Sequence, residues 1–386
     1  MRKVAVIGIG QTKVAENWNK SLRELAGDAI LSALYDAQLS TADAFFLGNM
    51  MSSAANNQQN LGAYVTDWVG SRGAESIRIE SACSSGSAAF RSAVLAVASG
   101  EVNIAVAAAV EKMTDSPGAE TTAYLATAAD ADWEVDQGVS FVALNALIMQ
   151  RYMHEYGWKH QDFANFSINA HNNAMNNPNA MFHMTITEER FNSSPLICDP
   201  LTLLDASPIG DGAAAAVIVP LENPFTSMSK TPIRVAGSAA ASDTIAVHAR
   251  QDPLWLSAAE KSAKQAYDQA GVSPENIDLF EYHDAFTIMA SLSLEACGFV
   301  ERGKAPELAI RNEITIDGRL PVATMGGLKA RGHPVGATGL FQLVEVIQQL
   351  RGQAGKNQVA QPKYGMAQNI GGSGSNIITH ILTNDS

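Results

Sequence analysis

The sequence predicts an α/β protein made of two similar halves packed across a pseudo-two-fold, with a segment of different character inserted in the first half. Three observations carry this expectation. Short apolar runs of strand length alternate with amphipathic runs of helix length from the first residues onward. After a stretch rich in Pro, Ser and Thr, Pro220 to Pro232, the opening pattern returns. Two turns, at Cys83 and at His333, each carry a glycine three residues later, Gly86 and Gly336, and each open a helical run.

Composition bounds the function. A chain of 386 residues buries a sizeable core and suggests about two or three domain-sized units. No window is apolar and long enough to span a bilayer, and Met1 to Gly8 runs straight into a strand without a cleavage site, so a cytoplasmic protein is expected. A net charge of −13 without a basic stripe argues against nucleic acid but leaves room for an anionic small ligand. Three widely spaced cysteines, Cys83, Cys198 and Cys297, suggest neither a disulfide framework nor a zinc site. His154-Glu155 followed by His160 has the wrong spacing for two metal ligands on one helical face and reads as a surface helix end. No metal is expected.

In chain order, Val4 to Ile9 is a strand and Ser21 to Ala37 an amphipathic helix. The Gly8-Ile9-Gly10 between them lacks the third glycine of a dinucleotide fingerprint. Ala44 to Asn49 is a second strand and Gln58 to Val69 a helix. Glu75 to Glu80 is a strand that leads into the Cys83 turn and an Ala-rich helix ending near Gly100, and Ile104 to Val110 is a buried strand. From Ser116 the pattern changes to an Ala- and Thr-rich helix and then to an Asn-, Met- and His-rich stretch, Asn169 to Met184, without a clean period. It reads as an inserted lid or subdomain. Core patterning resumes at Ser207 and leads into the strand Ala213 to Val219.

In the second half, Ile233 to Gly237 matches Val4 to Gly8, the helix ending Tyr267-Asp268 matches the one ending Tyr35-Asp36, and Ile277 to Tyr282, arriving at His283, matches the strand arriving at Asn49. The expected divisions are 1–115 with 206–222 for the first half, 116–205 for the insert and 232–386 for the second half.

Cys83 on a strand-to-helix turn is a candidate nucleophile. Unpaired N–H groups at a helix N-terminus favour an anion and lower a thiol's pKa. If the repeat places His333 against it, the imidazole takes the thiol proton. His283-Asp284-Ala285-Phe286 ends a buried-looking strand, a place where α/β proteins put ligand-binding groups, and a second imidazole there could hold a carbonyl oxygen as it becomes an oxyanion. Asn369-Ile370-Gly371-Gly372-Ser373-Gly374, after the strand Tyr364 to Gln368, reads as a turn whose backbone N–H groups can approach a substrate closely.

These residues resemble the thiolase superfamily over essentially the whole chain. Ala82-Cys83-Ser84-Ser85-Gly86 looks like its nucleophile motif and Gly326 to Gly339 like its catalytic-histidine motif. Glu111 to Asp115, Asp199 to Asp205 and His283 to Phe286 place the chain nearer the archaeal-type and sterol-carrier-protein-type members. The resemblance implies a thiolase-like fold of duplicated βαβαβαββ halves in an α-β-α-β-α arrangement with an inserted loop domain. It implies coenzyme A thioesters as substrates and no tightly bound cofactor. It also implies a homodimer or dimer of dimers, and a place among other acyl-CoA pathway proteins. Carried over by position, Cys83 is the acylated nucleophile and His333 its base. His283 holds a water or donates toward the thioester oxygen, Gly371 or Gly372 lies in the loop of a backbone oxyanion hole, and Ser207 touches the pantetheine arm. The second, acid/base cysteine of the family would stand at Asn369 or Ala285, and neither is cysteine.

The expected chemistry is acyl transfer through acyl-Cys83, as Claisen condensation of acyl-CoA or thiolysis of 3-ketoacyl-CoA, with His283 the candidate for the second acid/base. The alternatives are a ketosynthase-like transferase using a decarboxylating donor or another acceptor, and a scaffold that binds CoA esters without turning them over.

Overall fold

The computed structural model describes residues 2–222 and 231–385. The centre of the expected linker, 223–230, lies outside them. The first half runs β1 (Val4–Gln11), α1 (Leu22–Asp36), β2 (Ala44–Gly48), α2 (Ser52–Ala55), α3 (Leu61–Trp68), β3 (Glu75–Ile79), α4 (Ser85–Ser99) and β4 (Ala105–Glu111). Next come α5 (Gly118–Ala126), α6 (Phe141–Tyr156), α7 (Ala164–Ala174), α8 (Glu188–Asn192) and the short pair β5 (Leu196–Cys198) and β6 (Leu201–Thr202), before β7 (Gly212–Pro220). The second half comprises β8 (Ile233–Ser242), α9 (Ser257–Ala270), β9 (Leu279–Glu281), α10 (Thr287–Ala296), α11 (Ala305–Ile310), α12 (Thr338–Leu350), β10 (Tyr364–Gly371) and β11 (Asn376–Thr383).

Strand order displays the duplication. The main sheet runs β3-β2-β4-β7-β1-β8-β11-β10-β9. Counted outward from the β1/β8 junction, each side meets counterpart strands in the same sequence, and Val322, bridged in parallel to Phe280, stands where β3 stands beside β2. Among the described residues, only Ala5 with Arg234 and Val6 with Ile233 pair across the junction. Both junction strands carry a register shift in the same place. β1 slips between Val6 and Gly8, and β8 slips between Val235 and Gly237. At Gly8 a Cβ would collide with the Ala33 carbonyl of α1, and at Gly237 with the Ala266 carbonyl of α9. Each half therefore needs a glycine where its first strand touches its outer helix.

Burial on both faces explains why these strands read as continuous apolar runs. Phe45, Leu47, Val106, Val110 and Val217 pack on Leu25, Ala29, Ile30 and Ala33 of α1. The alternate residues Phe46, Ala107, Ala109 and Ile218 share a core with Phe90 of α4, Leu340, Phe341 and Val344 of α12, and Ala367 and Leu382 of the second half. A third core joins Ala263 and Ala266 of α9 and Ile288 of α10 to Met366, Ile377 and Ile381 and takes in Ile148, Met149 and Tyr152 of α6. The layers are thus α-β-α-β-α, with α4 and α12 in the middle. There Gly86 faces its counterpart directly: a Cβ would lie 3.0 Å from the Gly336 carbonyl and 3.0 Å from the Leu340 nitrogen.

The segment 169–184 does more than lie over the surface. Asn169, Asn173 and Asn177, spaced four apart, donate side-chain N–H groups to Ile314 and Val322 (3.3 and 3.1 Å), Ala323 (3.0 Å) and Met325 (2.8 Å). The Met181 and Phe182 nitrogens donate to Arg331 and Ala330, both at 3.0 Å. The period missing from its apolar residues is carried by asparagines, and what they hold is the loop leading to His333. His160 is likewise more than a surface helix end, because its Nε2 lies 2.6 Å from buried Asp205.

Candidate active site

The turn before α4 is fixed by its own serines. Ser85 Oγ accepts from the Ser81 nitrogen (2.9 Å) and donates to the Ala82 carbonyl (2.6 Å), while Ser84 Oγ donates to the Ser81 carbonyl (2.6 Å). Ala82 sits at φ +49°, a left-handed conformation costly for a residue with a Cβ. Gly332, just before His333, sits at φ +105°. Each reactive residue thus follows a residue of positive φ.

Across the middle layer the two turns meet. Cys83 Sγ and one ring nitrogen each of His283 and His333 all lie within 4.8 Å of one another. The two imidazoles stand edge to face, with ring centroids 5.2 Å apart and planes at 83°. The same three atoms form the one grouping of potential metal ligands among the described residues.

Position at a helix N-terminus does not make the thiol acidic. Burial, and then the negative charge of Glu111, push Cys83 up to about 12, against the opposing pull of the backbone N–H groups of Gly372 and of Cys83 itself. The expectation of a lowered pKa is overturned because desolvation of the anion outweighs a few backbone donors. Cys83 therefore rests as a thiol.

The neighbouring imidazoles are neutral. His333 is kept well below the ordinary imidazole range by burial, by His283 and by Arg331, and so is neutral. Its Nδ1 lies 2.7 Å from Thr338 Oγ, whose single hydrogen is given to the Pro334 carbonyl at 3.1 Å. The hydroxyl can then only accept from Nδ1–H, which leaves Nε2 bare. His283, in the loop after β9, is held low at about 3 by burial and by Arg331, and its Nδ1 lies 2.9 Å from Asn369 Nδ2.

The remaining expected residues fall as follows. Asn369 belongs to β10, which continues to Gly371, so the glycine turn begins later than the sequence suggested. Gly371 abuts Ser81 and Ser84, where a Cβ would lie 2.7 Å from the Ser81 carbonyl. Gly372, at φ +61°, turns its N–H to Cys83. Ser207 is partly buried, and its nitrogen donates to the Ala285 carbonyl at 2.9 Å. Its segment runs between the two histidine loops, with Ala206 bridged to Phe286 and Ile209 to His333. Cys198 is on β5, and Cys297 is buried in the outer core of the second half.

Several residues around the site lie in motifs the sequence offered but were given no role there. Glu111 ends the apolar strand β4 and accepts four N–H groups: Asn49 Nδ2 (2.8 Å) and Met51 (3.0 Å) on Oε1, Met50 (2.9 Å) and Gly336 (3.0 Å) on Oε2. Burial raises it to about 7. It ties the Cys83 half to the turn after His333. A carboxylate at the end of a wholly apolar strand was the available signal. Arg331, fully buried, pairs with Glu345 at 2.8 Å and lies over Phe341. Lys329, lowered to about 8 by burial, donates to the Asp205 carbonyl.

Known proteins resemble this chain over nearly its whole length. Residues 4–222 match the family model for the thiolase N-terminal domain, and residues 239–384 the model for the thiolase C-terminal domain-like family. The chain is 44% identical over 385 residues to an acetyl-CoA acetyltransferase of Methanothermobacter thermautotrophicus, covering 99% of this chain and 100% of that one. It is 29% identical to human sterol carrier protein 2, covering 98% of this chain and 72% of that one. The solved structure of the Ltp2-ChsH2(DUF35) aldolase superposes with a TM-score of 0.86 at 25% identity, covering 99% of this chain and 97% of that one. With both halves of the family model matched around a thiol and two imidazoles, the chain belongs to the thiolase family.

Proposed function

We propose that this protein transfers acyl groups between coenzyme A thioesters through a thioester on Cys83. The observation that carries the proposal is the meeting of the Cys83 thiol with the two buried imidazoles within 4.8 Å, beside the Gly372 N–H. His333 Nε2 takes the thiol proton as Sγ attacks the carbonyl carbon of an acyl-CoA. The oxyanion so formed is met by N–H donors, the carbon–sulfur bond to CoA breaks, and His333 returns the proton to the departing thiolate. In condensation, a second acyl-CoA gives up an α-proton to an imidazole of the site, its carbanion attacks the acyl carbon, and Cys83 leaves as a thiolate that takes that proton back. The same steps reversed are thiolysis of a 3-ketoacyl-CoA by CoA. Ser207, between the two histidine loops and partly exposed, meets the pantetheine arm in this reading. No resident cofactor is part of this chemistry.

The wider reading is a homodimer or dimer of dimers formed along the open edge at β3, where among the described residues only β2 pairs and Ile77 is 46% exposed, acting with other acyl-CoA pathway proteins in the cytoplasm. No helix among the described residues is long and apolar enough to cross a membrane.

The test is CoA-dependent loss of acetoacetyl-CoA, measured beside decarboxylation of malonyl-CoA. Thiolysis that Cys83→Ala abolishes supports the proposal. Decarboxylation without thiolysis moves the protein to the ketosynthase-like alternative. Neither activity, with no acyl group on Cys83, leaves a CoA-ester scaffold.

A further inference from the structure

We infer that Asn369 is a positioning residue that fixes His283 as a hydrogen-bond donor, so that His333 is the single base of the site and carries the proton in both half-reactions. The inference rests on the acyl-transfer reading above and deepens it.

Asn369 is fully buried on β10, and its Nδ2 lies 2.9 Å from His283 Nδ1. An amide nitrogen offers only hydrogens, so Nδ1 must be bare, and a neutral imidazole then carries its hydrogen on Nε2. Burial and Arg331 both favour the neutral ring. Thr338 imposes the opposite tautomer on His333. One ring therefore offers an N–H and the other a lone pair. With the amide turned round, both rings would offer lone pairs to a thiol that has one proton to give.

The consequence is a proton balance that needs no second cysteine. In acylation, His333 takes the Cys83 proton and gives it to the leaving CoA thiolate, ending neutral. In condensation, His333 Nε2 takes the α-proton, the carbanion forms the new carbon–carbon bond, the Cys83–acyl bond breaks, and the proton passes to the Cys83 thiolate. His333 again ends neutral. His283 keeps its hydrogen throughout and only lends it to the thioester oxygen. Where relatives place a base at position 369, this chain places a residue that makes the neighbouring histidine a donor.

The direct test is 15N NMR of histidine-labelled wild-type protein, with His283→Gln used to assign the ring signals. The expected result is a bare Nδ1 and a protonated Nε2 on His283. A hydrogen on Nδ1 overturns the inference. Kinetics give a second test through Asn369→Asp. A carboxylate would accept from Nδ1, so Nε2–H would persist only while His283 is doubly protonated. The titratable and charged groups near that ring are His333, Cys83 and Arg331. The variant should work at low pH and lose kcat by about 100-fold as His283 deprotonates, the loss typical of one missing oxyanion donor. That limb should be absent from wild type, and a variant with the wild-type profile would overturn the inference. Labelling of Cys83 by acetyl-CoA is independent of both. Its failure would sink the acyl-transfer reading, whereas labelling with the wrong tautomer would sink this inference alone.

Discussion

Replacing Thr338 with valine deletes one hydroxyl at nearly constant shape and removes the acceptor that holds His333 Nδ1–H. Thr338 is fully buried, so no solvent can take over the bond at 2.7 Å. A buried donor left without a partner costs about 1–3 kcal/mol. The ring can avoid that cost by moving its hydrogen to Nε2, which is the atom proposed to accept the Cys83 proton. Either way the reactive arrangement is raised by the same amount, and at about 1.4 kcal/mol per decade the rate of acylation falls roughly 5- to 150-fold. The assay is rapid quench of the first turnover with acetyl-CoA, following release of CoA. The loss should appear in the rate constant for acylation and not in the concentration dependence. Thr338→Ser, which keeps the oxygen, should stay near wild type. Valine acylating as fast as wild type would refute the reasoning, and serine as slow as valine would show that the methyl group mattered instead.

Three further outcomes are expected. Because Cys83 is raised to about 12 beside a neutral His333, the thiolate fraction grows with pH, so alkylation by iodoacetamide should speed up about tenfold per pH unit between pH 7 and 9 without levelling; a plateau below pH 7 would reveal a resting thiolate–imidazolium pair. Glu111→Gln sets an amide NH2 against N–H donors whichever way it turns, since both oxygens are occupied by donors, and should cost about 1–3 kcal/mol in urea unfolding while making Cys83 more readily alkylated through loss of the charge; unchanged stability would contradict the clamp. Gly86→Ala forces α4 from the Gly336 turn and should destabilise by about 1–3 kcal/mol, again by urea unfolding, with wild-type stability showing that the middle layer has slack.

What the sequence makes legible here is repetition and local chemistry. Gly8 and Gly237 can be matched by eye because each does the same mechanical work, and the glycines following Cys83 and His333 can be matched because the two turns pack on each other. What stays hidden depends on partners distant along the chain. His283 and Asn369 are 86 residues apart, and nothing local to either says that they touch. The acidity of Cys83 is likewise set by burial and by Glu111, so a helix N-terminus alone points the wrong way. The asparagines at 169, 173 and 177 escape a search for apolar periodicity because the surface they bind is a row of carbonyl groups. Thr338 stands within the histidine motif itself, yet its role depends on the Pro334 carbonyl occupying its only hydrogen.

The central claim is that Cys83 carries the acyl group with His333 as its base. Mass spectrometry after brief incubation of the wild-type protein with acetyl-CoA, without a second substrate, tests it most directly. One acetyl group per chain on the Cys83 peptide with an equal amount of CoA released, both lost in Cys83→Ala and strongly slowed in His333→Ala, is the expected result. No label, or a label elsewhere that survives Cys83→Ala, would contradict it.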